Sequence, residues 1–138
     1  MAEFEKFRKR SVPSPDVAYV TIQRSGAISL NRAAWTLIEK PEQVTLHFDR
    51  DDKVIGIEPV PRGLLDHDAF PVRPVGGSRE RAGSFVISGK GFTKYYGIPT
   101  EPVTRRLGFL VDDDDNGGMV PLLYVWLNEE DIPRGLLS

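Results

Sequence analysis

The chain has 138 residues, 40% of them hydrophobic and 28% charged, with a net charge of −2 and no cysteine. That length suits a single domain able to bury its own core, and the missing cysteine excludes disulfides, Cys-based zinc sites and a thiol nucleophile and fits a reducing compartment. The even charge excludes a binder whose whole surface is basic, while leaving room for a local basic face.

Residues 1–16 read as a basic arm. Lys6, Arg8, Lys9 and Arg10 stand there against Glu3 and Glu5. Pro13 and Pro15 push their predecessors to extended geometry and prevent a helix. The arm lacks the apolar stretch of a signal peptide. No apolar run approaches the roughly 18 residues of a membrane helix. A cytoplasmic protein with no membrane partner is expected.

Residues 17–22, rich in Val, Ile, Thr and Tyr, predict a strand, and Ser25-Gly26 a turn. A second strand is expected over 27–30. Asn31 is a good N-cap for a helix of about two turns over 32–38, with Ala34, Leu37 and Ile38 as its apolar face. Pro41 closes that region. Residues 44–48 alternate cleanly, the polar tip Asp49-Arg50-Asp51-Asp52 follows, and 54–57 return as the second arm of a hairpin. Residues 62–83 read as a Pro- and Gly-rich linker, with 70–75 as an irregular edge strand because of Pro71 and Pro74.

The order then recurs. A strand is expected over 84–88, and a short helix over 91–97 with Phe92, Tyr95 and Tyr96 as its apolar face. A strand over 106–111, an acidic turn from Asp112 to Gly118 and a returning strand over 119–127 follow, and 128–138 read as an acidic tail. Strand, short helix and hairpin therefore occur twice, over 17–61 and 84–127. Ile28-Ser29 matches Ile87-Ser88 59 residues later, and the two acidic tips match at 63. Chance in a small α+β chain is the plainer explanation. One unit alone would be marginal, since its hairpin has two open edges. The expected fold is α+β but mostly β: a small barrel built from two strand–helix–hairpin repeats, with 17–127 as one compact domain.

Residues 20–60, VTIQRSGAISLNRAAWTLIEKPEQVTLHFDRDDKVIGIEPV, resemble the swapped-hairpin domain of the AbrB/SpoVT/MazE class of bacterial regulators. Gly26, Ile28, Leu30, Ala34, Leu37, Val44, Leu46, Asp49, Val54, Ile55 and Ile57 carry the pattern. The resemblance implies a dimer-like barrel and DNA binding through arginines near the turn and on the short helix. Here Ala27, Trp35 and Thr36 stand where that class often has basic residues, and Asn31 where it often has Pro. Arg24 and Arg32 lie nearby. Lys90, Lys94, Arg105 and Arg106 are their counterparts in the second half.

The candidate nucleic-acid contacts are therefore Lys6, Arg8, Lys9, Arg10, Arg24, Arg32, Lys90, Lys94, Arg105 and Arg106. The plainer alternative is a solvated tail with ordinary surface arginines. Asp112, Asp113, Asp114 and Asp115 lack EF-hand spacing, and they read as a hairpin tip kept soluble by charge rather than as a cation site. His47 and the Asp66-His67-Asp68 run have neither a zinc-spaced partner nor a serine to activate. Ser88-Gly89-Lys90-Gly91 has no P-loop spacing. Trp35, Tyr95, Tyr96 and Trp126 read as core or dimer contacts. No catalysis, cofactor or metal is expected. DNA is the expected partner. A non-catalytic interaction module is the alternative, self-associating through edges at 70–75 and 119–127.

Overall fold

The computed structural model describes residues 17–111 and 122–137. The basic arm and the acidic turn after Val111 lie outside the described residues.

Nine strands form one antiparallel sheet. In chain order they are β1 (Tyr19–Ile22), β2 (Ile28–Asn31), β3 (Gln43–Asp49), β4 (Val54–Pro59), β5 (Phe70–Val75), β6 (Ser84–Ile87), β7 (Thr104–Leu107), β8 (Phe109–Val111) and β9 (Leu122–Trp126). Helices α1 (Arg32–Leu37) and α2 (Lys90–Tyr95) follow β2 and β6. The strands run side by side as β7-β1-β2-β6-β5-β3-β4-β9-β8. The two ends of that order, β7 and β8, are consecutive in the chain and part only at Gly108. The sheet thus nearly closes on itself as a barrel. At the bend the Gly108 N–H donates to Ala18 O at 3.0 Å. A Cβ there would lie 3.1 Å from Leu123 Cδ1, a tight fit that glycine relieves.

β5 differs from the edge strand expected at 70–75. Phe70 and Pro71 pair with β3, and residues 72–75 pair with β6. The Val72 N–H donates towards β3, to Glu42 O at 2.8 Å. Two residues on, the missing Pro74 donor falls on the same side, where the β3 ladder has already ended. Proline is tolerated because, past the hand-over from β3 to β6, that side of the strand carries no ladder. β9 is likewise flanked on both sides, by β4 and β8. Among the described residues β5 and β9 therefore each lie between two strands, β5 changing partner at Val72, and the first residues of the 119–127 edge lie outside them.

Alternation fills the barrel. Val20, Ile22, Ile28, Leu30, Val44, Ile55, Ile57, Val72, Phe85, Ile87, Leu123 and Val125 are buried in one cluster. A smaller cluster of Val54, Trp126 and Ile132 lies apart from it. The 128–138 stretch is accordingly folded over most of its length: a 3-10 turn (Glu129–Asp131) and α3 (Arg134–Leu137) flank the buried Ile132. Burial on both faces explains why β9 reads Leu-Leu-Tyr-Val-Trp rather than alternating.

Asn31 caps α1 as expected. Its Oδ1 accepts the Ala34 N–H at 2.9 Å and also the Tyr19 N–H at 3.0 Å, tying the helix to β1. The buried face is Ala34, Trp35 and Ile38, with Leu37 turned out. Trp35 displaces Leu37 because its ring stacks on Phe85 (centroids 3.9 Å apart) and its Nε1–H donates to Pro41 O at 3.0 Å. Both helices end in the same way. Lys40 N–H bonds Trp35 O and Glu39 N–H bonds Thr36 O, while Ile98 N–H bonds Thr93 O and Gly97 N–H bonds Lys94 O. These are paired Schellman closures with Glu39 and Gly97 left-handed at φ 66° and 63°.

Among the described residues no helix is long and apolar enough to cross a membrane.

Candidate functional site

The β1–β2 turn packs against α2, which lies 67 positions along the chain. Gly26 makes this contact possible. Its φ is +92°, and a Cβ would lie 2.5 Å from Thr93 Oγ1 and 3.1 Å from Lys90 Cα. The buried Thr93 hydroxyl donates to Gly26 O at 3.2 Å, with Lys90 O also in reach at 3.0 Å. Turn and helix together wall an open groove of about 520 Å³. Arg24, Lys90 and Lys94 line it, with Glu101 as its one carboxylate. Arg24 Nε lies 3.4 Å from Glu101 Oε1, and both side chains are largely exposed. An exposed pair of this kind contributes little, on the order of 0–1 kcal/mol, so Arg24 can exchange that partner for another anion.

The remaining candidates sit elsewhere. Arg32 follows β2, at the opposite end of the β1–β2 hairpin from Arg24. Its Nη1 donates to Ala82 O at 2.7 Å and Arg79 O at 3.1 Å, and its guanidinium stacks over Trp35 at 5.4 Å. Arg32 thus ties α1 to the 76–83 loop. Arg105 pairs across from Thr21 and lies over the Tyr19 ring at 3.9 Å. Arg106 pairs across from the buried Val20, so it starts on the inner face of the sheet. Its Nε donates to Leu127 O at 3.4 Å, and desolvation lowers its pKa from the ordinary arginine value. Of the candidates within the described residues, Arg24, Lys90 and Lys94 share a face, and Arg32, Arg105 and Arg106 do not join them. Lys6, Arg8, Lys9 and Arg10 lie outside the described residues.

Three side chains near this face escaped the sequence reading. Tyr95, expected in the core, is 72% exposed, while Thr93 takes its buried place. Arg50 was part of a merely polar hairpin tip and Lys53 was not singled out, yet Arg50 lies over the Tyr96 ring at 4.8 Å and the Tyr95 ring at 5.7 Å. The alternation of β3 and β4 predicts the tip but not which helix it will meet.

His47 Nε2 is 2.9 Å from Thr45 Oγ1 and 3.7 Å from Glu58 Oε1, on the exposed side of β3 and β4. His67 lies in an exposed turn, where Asp66 Oδ1 accepts the Asp68 N–H. Neither histidine is brought into the groove.

Comparison with protein-family models, with curated proteins and with solved structures finds no match to this chain.

Proposed function

We propose that the protein is a non-catalytic, regulator-like nucleic-acid binder that holds the phosphate backbone in the groove between the β1–β2 turn and α2. One observation carries this reading. Arg24, Lys90 and Lys94 come from distant parts of the chain and line a single open groove with one carboxylate. A surplus of cations along a groove is the electrostatic footprint of backbone binding. The exposed Tyr95, next to Lys94, adds an aromatic face on which an unpaired base can stack.

The test is fluorescence anisotropy with duplex and single-stranded oligonucleotides across a salt series. Binding should weaken steeply as salt rises. Replacing Arg24, Lys90 and Lys94 by Ala should flatten the slope of log K against log salt by roughly 2–3, at about 0.9 per lost phosphate contact on duplex. No binding at low salt sinks the reading, and so does an unchanged slope in the triple variant.

In the same reading the barrel is a duplicated swapped-hairpin unit. What favours this is the pairing: β1 lies between β2 and β7 as β5 lies between β6 and β3. Ile22 faces Ile28 as Val72 faces Ile87. The same number of residues separates the N-caps Asn31 and Gly89 as the left-handed Glu39 and Gly97. If so, residues 17–61 alone should form a folded dimer by light scattering and circular dichroism. An unfolded monomer would count against the duplication.

A further inference from the structure

A second cationic cavity, distinct from the groove, lies where the β3–β4 tip meets the end of α2. Its volume is about 270 Å³, and Phe48, Arg50, Lys53, Tyr96 and Arg106 are among its lining residues. The three cations come from two separate parts of the chain, and no carboxylate lines the cavity. The tip is two-faced. Arg50 and Lys53 face this cavity, whereas Asp49 and Asp52 line a different one beside Trp126 and Asp131. Asp49 Oδ1 is further engaged by the Asp51 and Asp52 N–H groups, at 2.9 and 3.0 Å.

Arg106 makes the cavity more than a patch of surface charge. It is partly desolvated, and among the described residues its one polar contact is the long bond to Leu127 O and it makes no ion pair, although Glu129 and Glu130 line another cavity that it borders. A half-buried guanidinium that makes no ion pair among the described residues is costly, and a bound anion relieves that cost. Arg50 is held over the Tyr96 ring, which limits the rotamer freedom it would lose on binding.

We infer that this cavity binds a small phosphomonoester, with the dianionic head among Arg50, Lys53 and Arg106 and the organic part against Phe48 and Tyr96. The charge and the three acceptor oxygens of a phosphomonoester suit three cationic donors better than a single carboxylate does. The volume falls just below the roughly 300 Å³ at which drug-sized pockets begin, which fits a small ligand. The ligand has two sources: a free organic phosphate, or the terminal phosphate of a strand lying in the neighbouring groove. Gly97 and Pro99 line both cavities, so the loop after α2 joins them. The inference does not depend on nucleic-acid binding.

The experiment is amide NMR titration of the full chain in phosphate-free buffer with phenyl phosphate, and with benzoate as the carboxylate control. Phenyl phosphate should give saturable shifts at residues 50–53, 96–97 and 127–128, and benzoate should bind at least about tenfold more weakly. Arg50→Gln, an exposed change that spares the fold, and Arg106→Gln should each weaken phenyl phosphate by about tenfold or more. Arg24→Gln with Lys90→Gln should leave it unchanged, which separates this site from the groove. Tighter binding of a 5′-phosphorylated oligonucleotide than of its 5′-hydroxyl form assigns the head group to a strand end, and equal binding assigns it to a free metabolite. The inference is overturned by non-saturating shifts, by equal binding of benzoate, or by Arg50→Gln binding phenyl phosphate as the parent does.

Discussion

Arg32 opens α1 and Lys90 opens α2, and each meets a loop that comes from the other half of the chain. At α1 the meeting is closed. Arg32 donates to two carbonyls of the 76–83 loop, Trp35 stacks on Phe85, and the loop returns the Gly83 carbonyl to the Arg32 N–H at 3.0 Å. At α2 the meeting is open. Thr93 supplies the one buried hydroxyl contact to Gly26, and Lys90 and Lys94 are exposed in the groove with Arg24. The difference follows from residue size. Trp35 and Arg32 fill their corner, whereas the tight Thr93–Gly26 contact is small and an open groove bordered by cations lies beside it. One geometry thus serves stability at one helix and leaves an open cationic groove at the other.

Substitutions at the two helices should therefore read out on different instruments. The largest effect is expected for Trp35→Ala. Removing a buried indole stacked on Phe85 leaves a cavity and an unmatched Pro41 carbonyl, and should cost roughly 3–5 kcal/mol by urea denaturation. A loss under about 1 kcal/mol would mean that the corner collapses freely and that α1 is no firmer than α2.

Next comes the matched pair Arg32→Ala and Lys90→Ala. Arg32→Ala removes two charge-assisted bonds to carbonyls and should cost about 1.5–3 kcal/mol. Lys90→Ala should stay within about 0.5 kcal/mol, as surface changes do, while weakening oligonucleotide binding. Equal stability losses would erase the contrast.

Much of the barrel was readable because its signals are local. The alternation of 44–48 and 54–57, the Asn31 cap and the turn at Gly26 each act within a few residues. What was not readable depends on partners far along the chain. Pro71 and Pro74 argued for an edge, and only the hand-over from β3 to β6 shows why they are tolerated inside the sheet. Residues 104–111 read as a single strand beginning late, because nothing nearby announces that Gly108 bends it around Leu123. For the site, Arg24, Lys90 and Lys94 were identifiable as cations, but so was Arg32, and no local pattern separates a guanidinium engaged by carbonyls from one left in a groove. Arg50 and Lys53 were invisible for the same reason: their surroundings belong to α2 and β7.

The smallest expected effect tests whether the closed end is also held electrostatically. Glu80 lies in the loop that Arg32 grips. Its own backbone N–H and then the Ser78 hydroxyl lower its pKa from the usual glutamate value, desolvation opposes them, and Arg32 and Arg79 add smaller attractions. A depressed carboxylate pKa contributes stability above the unfolded-state value, and that contribution is lost as pH falls through the folded-state value. Acidification should therefore loosen the 76–83 loop before it affects the β1–β2 turn. Ser78→Ala removes the second-largest lowering contribution and should move the Glu80 midpoint upward, narrowing the pH window over which the loop is held. Carboxyl NMR titration of Glu80 reads the midpoint, and exchange of the Ala82 amide, bonded to Ser78 O at 2.8 Å, reads the loop. An unmoved midpoint would leave the hydrogen bonds of Arg32 and the stacking of Trp35 as the whole of the difference between the two helices. Because Glu80 is exposed, the change in global stability should be too small to register in the denaturation experiment that detects Trp35→Ala.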